Sequence, residues 1–346
     1  MITQELLGIG VIGVGRAGLV HAQNFAYNVP RARLVSVMDA NDQRAQEVAA
    51  SLGADYTTDL ERFLQDPRID AVCVTLPTFL HATVVEQVAR AGKHILCEKP
   101  LALTPDEVLS MAAAVKTGRI TFVMGFMRRF DSSFQRARQM ISEGAIGQPI
   151  VIKSTGRGPG LPPSWAWDIN LSNGMLGEVN SHDFDAVRWL LGSEYQNVYA
   201  RGRNFKSYDV AKSYPNFYDN AVVLIEMESG AIGTVDGSCP ADYGYDARIE
   251  VLGTEGVLFV GTTAENSVTV WTKPKGVRQS GVTSWKSLFR EAYLAEDRHL
   301  VDCIWDNTPP LVGLEDGLRA LEVVRAANYS IQSAQAEEVR RAELPK

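Results

Sequence analysis

The sequence predicts an α/β domain with a parallel sheet, followed by an α+β domain with a large, mainly antiparallel, open-faced sheet. Three observations carry that expectation. Short β-branched runs alternate with longer amphipathic segments from residue 8 to about 125. From about residue 126 onward, strands follow one another with only turns between them. The chain has 346 residues and is 45% hydrophobic, enough for two separate cores. The domains are drawn as 1–125 and 126–346, with the C-terminal helices available to pack back on the first.

In order, IGVIGVG reads as a strand and leads into a helix through Phe25, and RLVSVMD leads into a helix through Leu52. IDAVCVTLP, KHILCEKP and RITFVMGF follow, each preceded by a helical stretch such as HATVVEQVARAG. These strands are apolar almost throughout, which means burial on both faces and a parallel sheet covered by helices. In LTPDEV, Thr104 caps a helix, Pro105 fits its first position and Glu107 completes a capping box. Beyond residue 126 come a helix at Ser132 to Glu143, a strand near PIVIKST, the Gly/Pro-rich GRGPGLPPSWAWD and a helix at Asp183 to Leu191. Strands at NVYARGRNF, YDNAVVLIEME, AIGTVDGSC, ARIEVLG, GVLFVG and SVTVW are joined by turn signals such as ESGA and GTEG. Trp285 to Gln335 reads as two helices broken at NTPP by Pro309 and Pro310.

Composition narrows the function. A net charge of -7 leaves no basic excess to neutralise nucleic-acid phosphates or an anionic membrane, so a small molecule is the expected partner. Cys73, Cys97, Cys239 and Cys303 are far apart without metal-ligand spacing and read as reduced core thiols. No basic segment followed by an apolar stretch opens the chain and no run is of membrane length, so a soluble cytoplasmic protein is expected.

GVGRAG places Gly13, Gly15 and Gly18 directly after the first strand, at the start of the first helix, with Arg16 and Ala17 between them. Gly13 permits the tight turn, Gly15 lets backbone approach a pyrophosphate, and Gly18 lets helix pack on strand, while helix N-terminal amides face the anion. Asp39 ends the second strand about twenty residues later, where ribose recognition requires an acid. This is the pattern of a Rossmann dinucleotide-binding domain. A carboxylate accepts from a free ribose 2′-hydroxyl and repels a 2′-phosphate, so NAD is favoured over NADP. Arg44 is the competing signal for a phosphate; within its helix, ordinary solvation is expected.

Ligands of open α/β sheets bind beyond the carboxyl ends of the strands, and HILCEKP puts Glu98, Lys99 and Pro100 at one such end. A lysine in a dry, cationic setting gives up its ammonium form more readily, which suits proton exchange with a substrate hydroxyl. Glu98 either orients Lys99 or touches the nicotinamide ribose, and Pro100 fixes the backbone in trans or cis. Thr75, Pro77 and Thr78 end the preceding strand and are expected against the cofactor, and His81 either caps or bonds near the ribose. His21 and His94 are assigned to structure and His299 to solvent or packing. A second cluster lies in GMLGEVNSHDFDAVRWLLG, where Glu178 and His182 share a face if helical, and His182 is placed to take or relay a proton. Trp165 and Trp167 suit either the apolar face of a sugar ring or an interface.

In this order and at these separations, GVGRAG, Asp39, EKPLAL, MGFMRRFD and NGMLGEVNSHDFDAVRWLLG resemble the glucose-fructose oxidoreductase and inositol dehydrogenase family, Gfo/Idh/MocA, over nearly the whole chain. The stretch from YDNAVVLIEMESGAIGTVDGS through YGYDARIEVLGTEGVLFVG is similar to the second domain of inositol dehydrogenases. The resemblance implies Lys99 and His182 as catalytic residues, with Glu178 standing where the family usually has aspartate and Asn180 where a small residue is frequent. It further implies Arg128, Arg157, Asp168 and Asn170 as residues lining a sugar pocket. For Arg128 and Arg129 an ordinary salt-bridging role is the alternative.

The expected function is NAD-dependent oxidation of a secondary hydroxyl of an inositol-type cyclic polyol or a sugar to a ketone or lactone, with Lys99 and His182 handling the proton. No metal is expected, since no His/Cys/Asp grouping has zinc spacing. The alternatives are a keto-sugar or imine reductase running the other way, and a non-catalytic NAD(P)-binding sensor. Strands such as AVVLIEM leave an apolar sheet face to cover, so a homo-oligomer is expected, dimer or tetramer, the tetramer being what the resemblance implies.

Overall fold

The computed structural model describes residues 6–345. Its contacts divide into two compact units. The first runs to Phe130 and takes in Glu291–Leu318 and the tail from Ala342; the second holds Asp131–Arg290 and Arg319–Arg341. The first break falls at Phe130, and the residues after it divide between the two units. Glu291–Leu318 clusters with the first unit, because the buried side chains of its helix bond to residues of the first helix, as described below.

The first unit contains, in chain order, β1 (Leu7–Ile12), α1 (Arg16–Tyr27), β2 (Ala32–Met38), α2 (Asp42–Leu52), β3 (Asp55–Thr57), α3 (Leu60–Gln65), β4 (Ala71–Val74), α4 (Thr78–Arg90), β5 (His94–Glu98), α5 (Pro105–Gly118) and β6 (Phe122–Gly125). The strands form one parallel sheet in the order β3-β2-β1-β4-β5-β6. Chain direction across the sheet reverses between β1 and β4, which makes that point the topological switch where ligands of such sheets bind. β1, β4 and β6 are buried at every position, as strands covered on both faces must be. Thr104 Oγ1 accepts from the Glu107 amide and the Glu107 carboxylate accepts from the Thr104 amide, so the capping box read from LTPDEV starts α5.

The second unit begins with α6 (Ser132–Ser142), β7 (Pro149–Arg157), α7 (Ile169–Ser172), α8 (Gly174–Glu178), α9 (Ser181–Leu191), β8 (Tyr195–Arg203) and α10 (Tyr208–Ser213). It continues through β9 (Asn220–Met227), β10 (Ile232–Ser238), β11 (Asp246–Gly253), β12 (Val257–Val260), β13 (Ala264–Thr272), β14 (Gly276–Gly281) and α11 (Trp285–Leu288). α12 (Arg290–Asp306), α13 (Leu314–Ser333) and β15 (Glu337–Glu338) complete the chain. Seven strands form a sheet in the order β12-β11-β7-β10-β9-β8-β15, antiparallel except for the β7·β10 pair. That parallel pair was not foreseen, because it joins strands separated in sequence by α7 to α10, β8 and β9.

α9 packs on the inner face of this sheet, and two glycines make the approach possible. A Cβ on Gly156 of β7 would lie 1.9 Å from the Asp183 carboxylate, and one on Gly237 of β10 would lie 2.1 Å from Asn180 Oδ1. The outer face is open. Along β9, Val223, Ile225 and Met227 are buried while Val222 and Leu224 are half exposed, the period-two alternation of a one-sided sheet. β13 and β14 form a separate exposed hairpin carrying Val268, Val270 and Trp271.

Candidate active site

Each glycine of the loop after β1 has its own reason. Gly13 has φ +85°, a conformation side chains disfavour, and its amide donates to Met38 O at 2.7 Å. A Cβ on Gly18 would sit 1.9 Å from the Gly13 carbonyl, so helix and strand could not close. A Cβ on Gly15 would meet nothing within 4 Å. Gly15 and Arg16 are exposed, Ala17 half buried, and α1 has no side-chain cap. A helix N-terminus left uncapped behind a loop without a Cβ is a cradle for an anion, and it fits the pyrophosphate of a dinucleotide. Asp39 closes one side of the loop: Oδ2 accepts from the Val14 amide at 2.9 Å and Oδ1 from Asn41 at 2.9 Å. Arg44 is not simply solvated as expected; its Nε donates to Val14 O at 3.0 Å, back onto the same loop.

The neighbouring strand ends lie in a row. Ile12 pairs with Val74, and Val74 with Cys97, so Gly13, Thr75 and Glu98 leave the sheet side by side, spanning about 10 Å over two strand spacings. Thr75 Oγ1 donates to the carbonyls of Ile12 and Gly13 and steadies the turn. Pro77 precedes α4, and Thr78 is buried at its first position. His81 is fully buried, its ring nitrogens 2.8 Å from the Pro100 and Leu76 carbonyls, so it ties the two strand ends together and is not carried forward as a cofactor contact. Lys99 is half buried, its amide donates to Glu98 Oε2 at 3.0 Å, and its bond to Pro100 is cis. Arg128 is buried at 2% exposure in the turn after β6, while Arg129 pairs with Asp316 at 2.7 Å, the salt-bridging alternative.

In the second unit the chain breaks between Glu178 and His182. Glu178 ends α8, Asn180 precedes α9, and His182 lies in the first turn of α9 at 5% exposure, so the two are not one face of a continuous helix. Asn180 is buried, with Nδ2 donating to Gly156 O and to Asp183 Oδ2 and Oδ1 without a hydrogen-bond partner among the described residues. Asp168 caps α7, Oδ1 accepting from the Asn170 amide and side chain. Arg157 forms an ion pair with Asp236 and donates to Tyr243 Oη, which together raise its already high pKa.

Residues 7–126 match the profile of an oxidoreductase family with an NAD-binding Rossmann fold, Gfo/Idh/MocA, and residues 134–259 match that family's C-terminal domain. The chain belongs to the Gfo/Idh/MocA oxidoreductase family. Over 324 residues, 93% of each chain, it is 38% identical to a scyllo-inositol 2-dehydrogenase (NAD(+)) of Bacillus subtilis. It is 36% identical to a myo-inositol 2-dehydrogenase of Thermotoga maritima over 94% of this chain and 96% of that one. Among solved structures, scyllo-inositol dehydrogenase of Lactobacillus casei with bound NAD(H) and scyllo-inositol superposes with a TM-score of 0.90 at 26% identity, covering 96% of this chain and 99% of that one. The first unit of this family member is thus an NAD-binding Rossmann domain.

Sequence reasoning missed one group in that unit. His21, assigned only to structure, is fully buried on α1 with Nδ1 2.6 Å from Asp297 and Nε2 3.3 Å from Glu98. Asp297 also accepts from Asn24 Nδ2 at 2.8 Å, and Glu296 beside it is fully buried. The available signal was the spacing of His21 and Asn24 on the buried side of α1, but their acidic partner lies 276 residues away from His21 along the chain.

Proposed function

We propose that the protein is an NAD-dependent dehydrogenase of an inositol or a closely similar cyclic polyol, removing hydride from a ring carbon and a proton from its hydroxyl to leave a ketone. The observation that carries this reading is Lys99 at the end of β5, in the same row of strand ends as the glycine cradle. NAD, when bound, supplies the hydride acceptor. Gly13, Gly15, Arg16, Ala17 and Gly18 bind its pyrophosphate and Asp39 its ribose, with Thr75, Pro77 and Thr78 along the adjoining strand end. Lys99 Nζ takes the hydroxyl proton; its stem starts from a backbone fixed by Glu98, so the amine swings from a defined point. By the resemblance, His182 is the second proton-handling group, and Glu178 stands where the family has its orienting carboxylate, although the two lie on separate helices here. Arg128, Arg157, Asp168 and Asn170 are assigned to polyol binding by resemblance, and for Asp168 and Arg157 the internal partners named above make that contribution smaller.

The presence of Lys99 supports catalysis over a purely sensory role. The test is NAD reduction with scyllo-inositol, myo-inositol and glucose, comparing the protein with Lys99→Ala. Turnover by the parent on an inositol and a loss of about 100-fold or more in the variant, with NAD affinity retained, is expected. Full turnover by a folded, NAD-bound Lys99→Ala protein refutes the assignment.

The open sheet face, with Val222, Leu224, Ile232 and Phe259 exposed, supports a homo-oligomer in which a second copy covers it. Light scattering on the purified protein reports dimer or tetramer if so, and monomer if the face stays bare. Cys73, Cys97, Cys239 and Cys303 are buried thiols, which supports a reducing compartment such as the cytoplasm. No helix among the described residues is long and apolar enough to cross a membrane.

A further inference from the structure

We infer that His21 is a positioning residue for Lys99: as a buried imidazolium carried by Asp297, it fixes the Glu98 carboxylate, whose other oxygen holds the Lys99 amide. This rests on the role proposed for Lys99. The protonation states follow from counting donors. Asp297 Oδ1 faces His21 Nδ1 and Oδ2 accepts from Asn24; burial raises its pKa, while the charge and bond of His21 and the bond from Asn24 favour the carboxylate that this arrangement of donors suits. Glu98 Oε1 faces His21 Nε2 and Oε2 accepts from the Lys99 amide, so the same holds there. A neutral imidazole has one N–H and one lone pair, and turning the lone pair toward either carboxylate is repulsive. With both acids ionised, the doubly protonated ring is the form that donates to each of them.

The surroundings agree. Burial opposes the charge on His21, yet the field of Asp297 and the bond to it lift its pKa well above the ordinary value. Burial is the largest influence on Glu98 and works against its ionised form, but the bond and charge of His21 together with the charge and amide of Lys99 outweigh it, leaving Glu98 below the usual carboxylate range. Glu296, on α12 next to Asp297, has neither oxygen hydrogen-bonded, and burial followed by the charge of Glu98 pushes it well above that range, so it stays an uncharged acid. The remaining groups around the ring are the Cys73 thiol of β4, raised to about 11 by burial, and the edge of Tyr293, 5.5 Å between centroids. Glu98 also lies within Coulombic reach of the Lys99 side chain. The cluster therefore delivers an uncompensated carboxylate field to the strand end and fixes the backbone from which Lys99 extends. The same atoms of His21, Glu98 and Glu296 lie within 4.8 Å of one another, as ligands of one cation would. With Nε2 protonated and Glu296 neutral, no cation is held.

The experiment uses the NAD-bound protein. Ring nitrogen NMR on histidine-labelled protein is expected to show His21 still doubly protonated above the range in which an ordinary histidine loses its proton, and Asp297→Asn to bring that proton off nearer the ordinary range. His21→Gln removes a positive charge near Lys99, so the acidic limb of the kcat/KM profile should move to higher pH by roughly half a unit and kcat fall about tenfold, with NAD affinity within about threefold. A role confined to packing would lower stability without moving that limb. A singly protonated His21 in the parent protein overturns the proposal, as does a His21→Gln enzyme with unchanged kcat and limb. So does a stoichiometric divalent cation whose removal by chelation abolishes activity. If His21→Gln does not fold, the NMR of the parent and of Asp297→Asn decides. Failure of the Lys99 reading is seen separately, as full turnover in Lys99→Ala whatever the state of His21.

Discussion

Two glycines three positions apart should respond in different ways to the same added methyl group. At Gly18, a Cβ would approach the Gly13 carbonyl oxygen to 1.9 Å and Thr75 Oγ1 to 2.4 Å. Ordinary contact requires more than 3 Å, so backbone has to move by over 1 Å, and overpacking of that kind costs about 1–3 kcal/mol or more. At Gly15 nothing lies within 4 Å, so the cost of Gly15→Ala to folding is limited to its backbone, whose ψ of -142° lies outside the regions side chains favour, about 1 kcal/mol. The cofactor is what that methyl group meets. Holding a pyrophosphate off the loop weakens two or three charge-assisted bonds, and a net loss of about 2–3 kcal/mol corresponds to roughly 30- to 150-fold in Kd. Calorimetric titration with NADH and thermal unfolding of the apoprotein read the two effects independently. Gly15→Ala binding NADH within about twofold of the parent would refute the reasoning, because the anion would then not approach the loop there.

Asp39→Ala removes the acceptor expected for the ribose hydroxyls and the repulsion of a 2′-phosphate, so KM for NAD should rise about tenfold and the preference over NADP shrink; an unchanged preference moves specificity elsewhere. Asp219 accepts from the amides of Phe205, Lys206 and Ser207 and from Asn220, bonds that outweigh burial and lower its pKa. Its folded value lies below the unfolded one, so its stabilisation is complete above the unfolded pKa and is lost as pH falls through the folded one. Asp219→Asn should cost about 3 kcal/mol at neutral pH and weaken the acid dependence of unfolding, followed by circular dichroism below about pH 4. Equal acid sensitivity in the two proteins counts against that role.

What the sequence disclosed and what it hid divide along chain distance. β1, β2, β4, β5 and β6, the cap of α5 and the glycine loop rest on neighbours within a few residues, so periodicity and turn chemistry reveal them, whereas the short, exposed β3 gave no such signal. The parallel β7·β10 pair, the return of Glu291–Leu318 to the first unit and the bond between His21 and Asp297 join positions far apart, and no local pattern encodes them. The Glu178/His182 spacing misled for another reason: four residues mean one face only if the helix continues, and it stops at Val179. Family resemblance placed His182, while the local geometry came from the fold.

The two charges that end β5 answer to different demands. Ile95, Leu96 and Cys97 are entirely buried, and Glu98 at 4% exposure is nearly so. A carboxylate there costs several kcal/mol unless compensated, which makes a solvation role untenable and a paired one necessary. Its compensation comes from a helix ring nitrogen on one oxygen and the next residue's own amide on the other. Lys99, the residue after the strand, is half-buried, and its amide is the group that holds the second Glu98 oxygen. The apolar run and the acid thus form one arrangement, in which the buried carboxylate holds the backbone amide from which the proposed base extends.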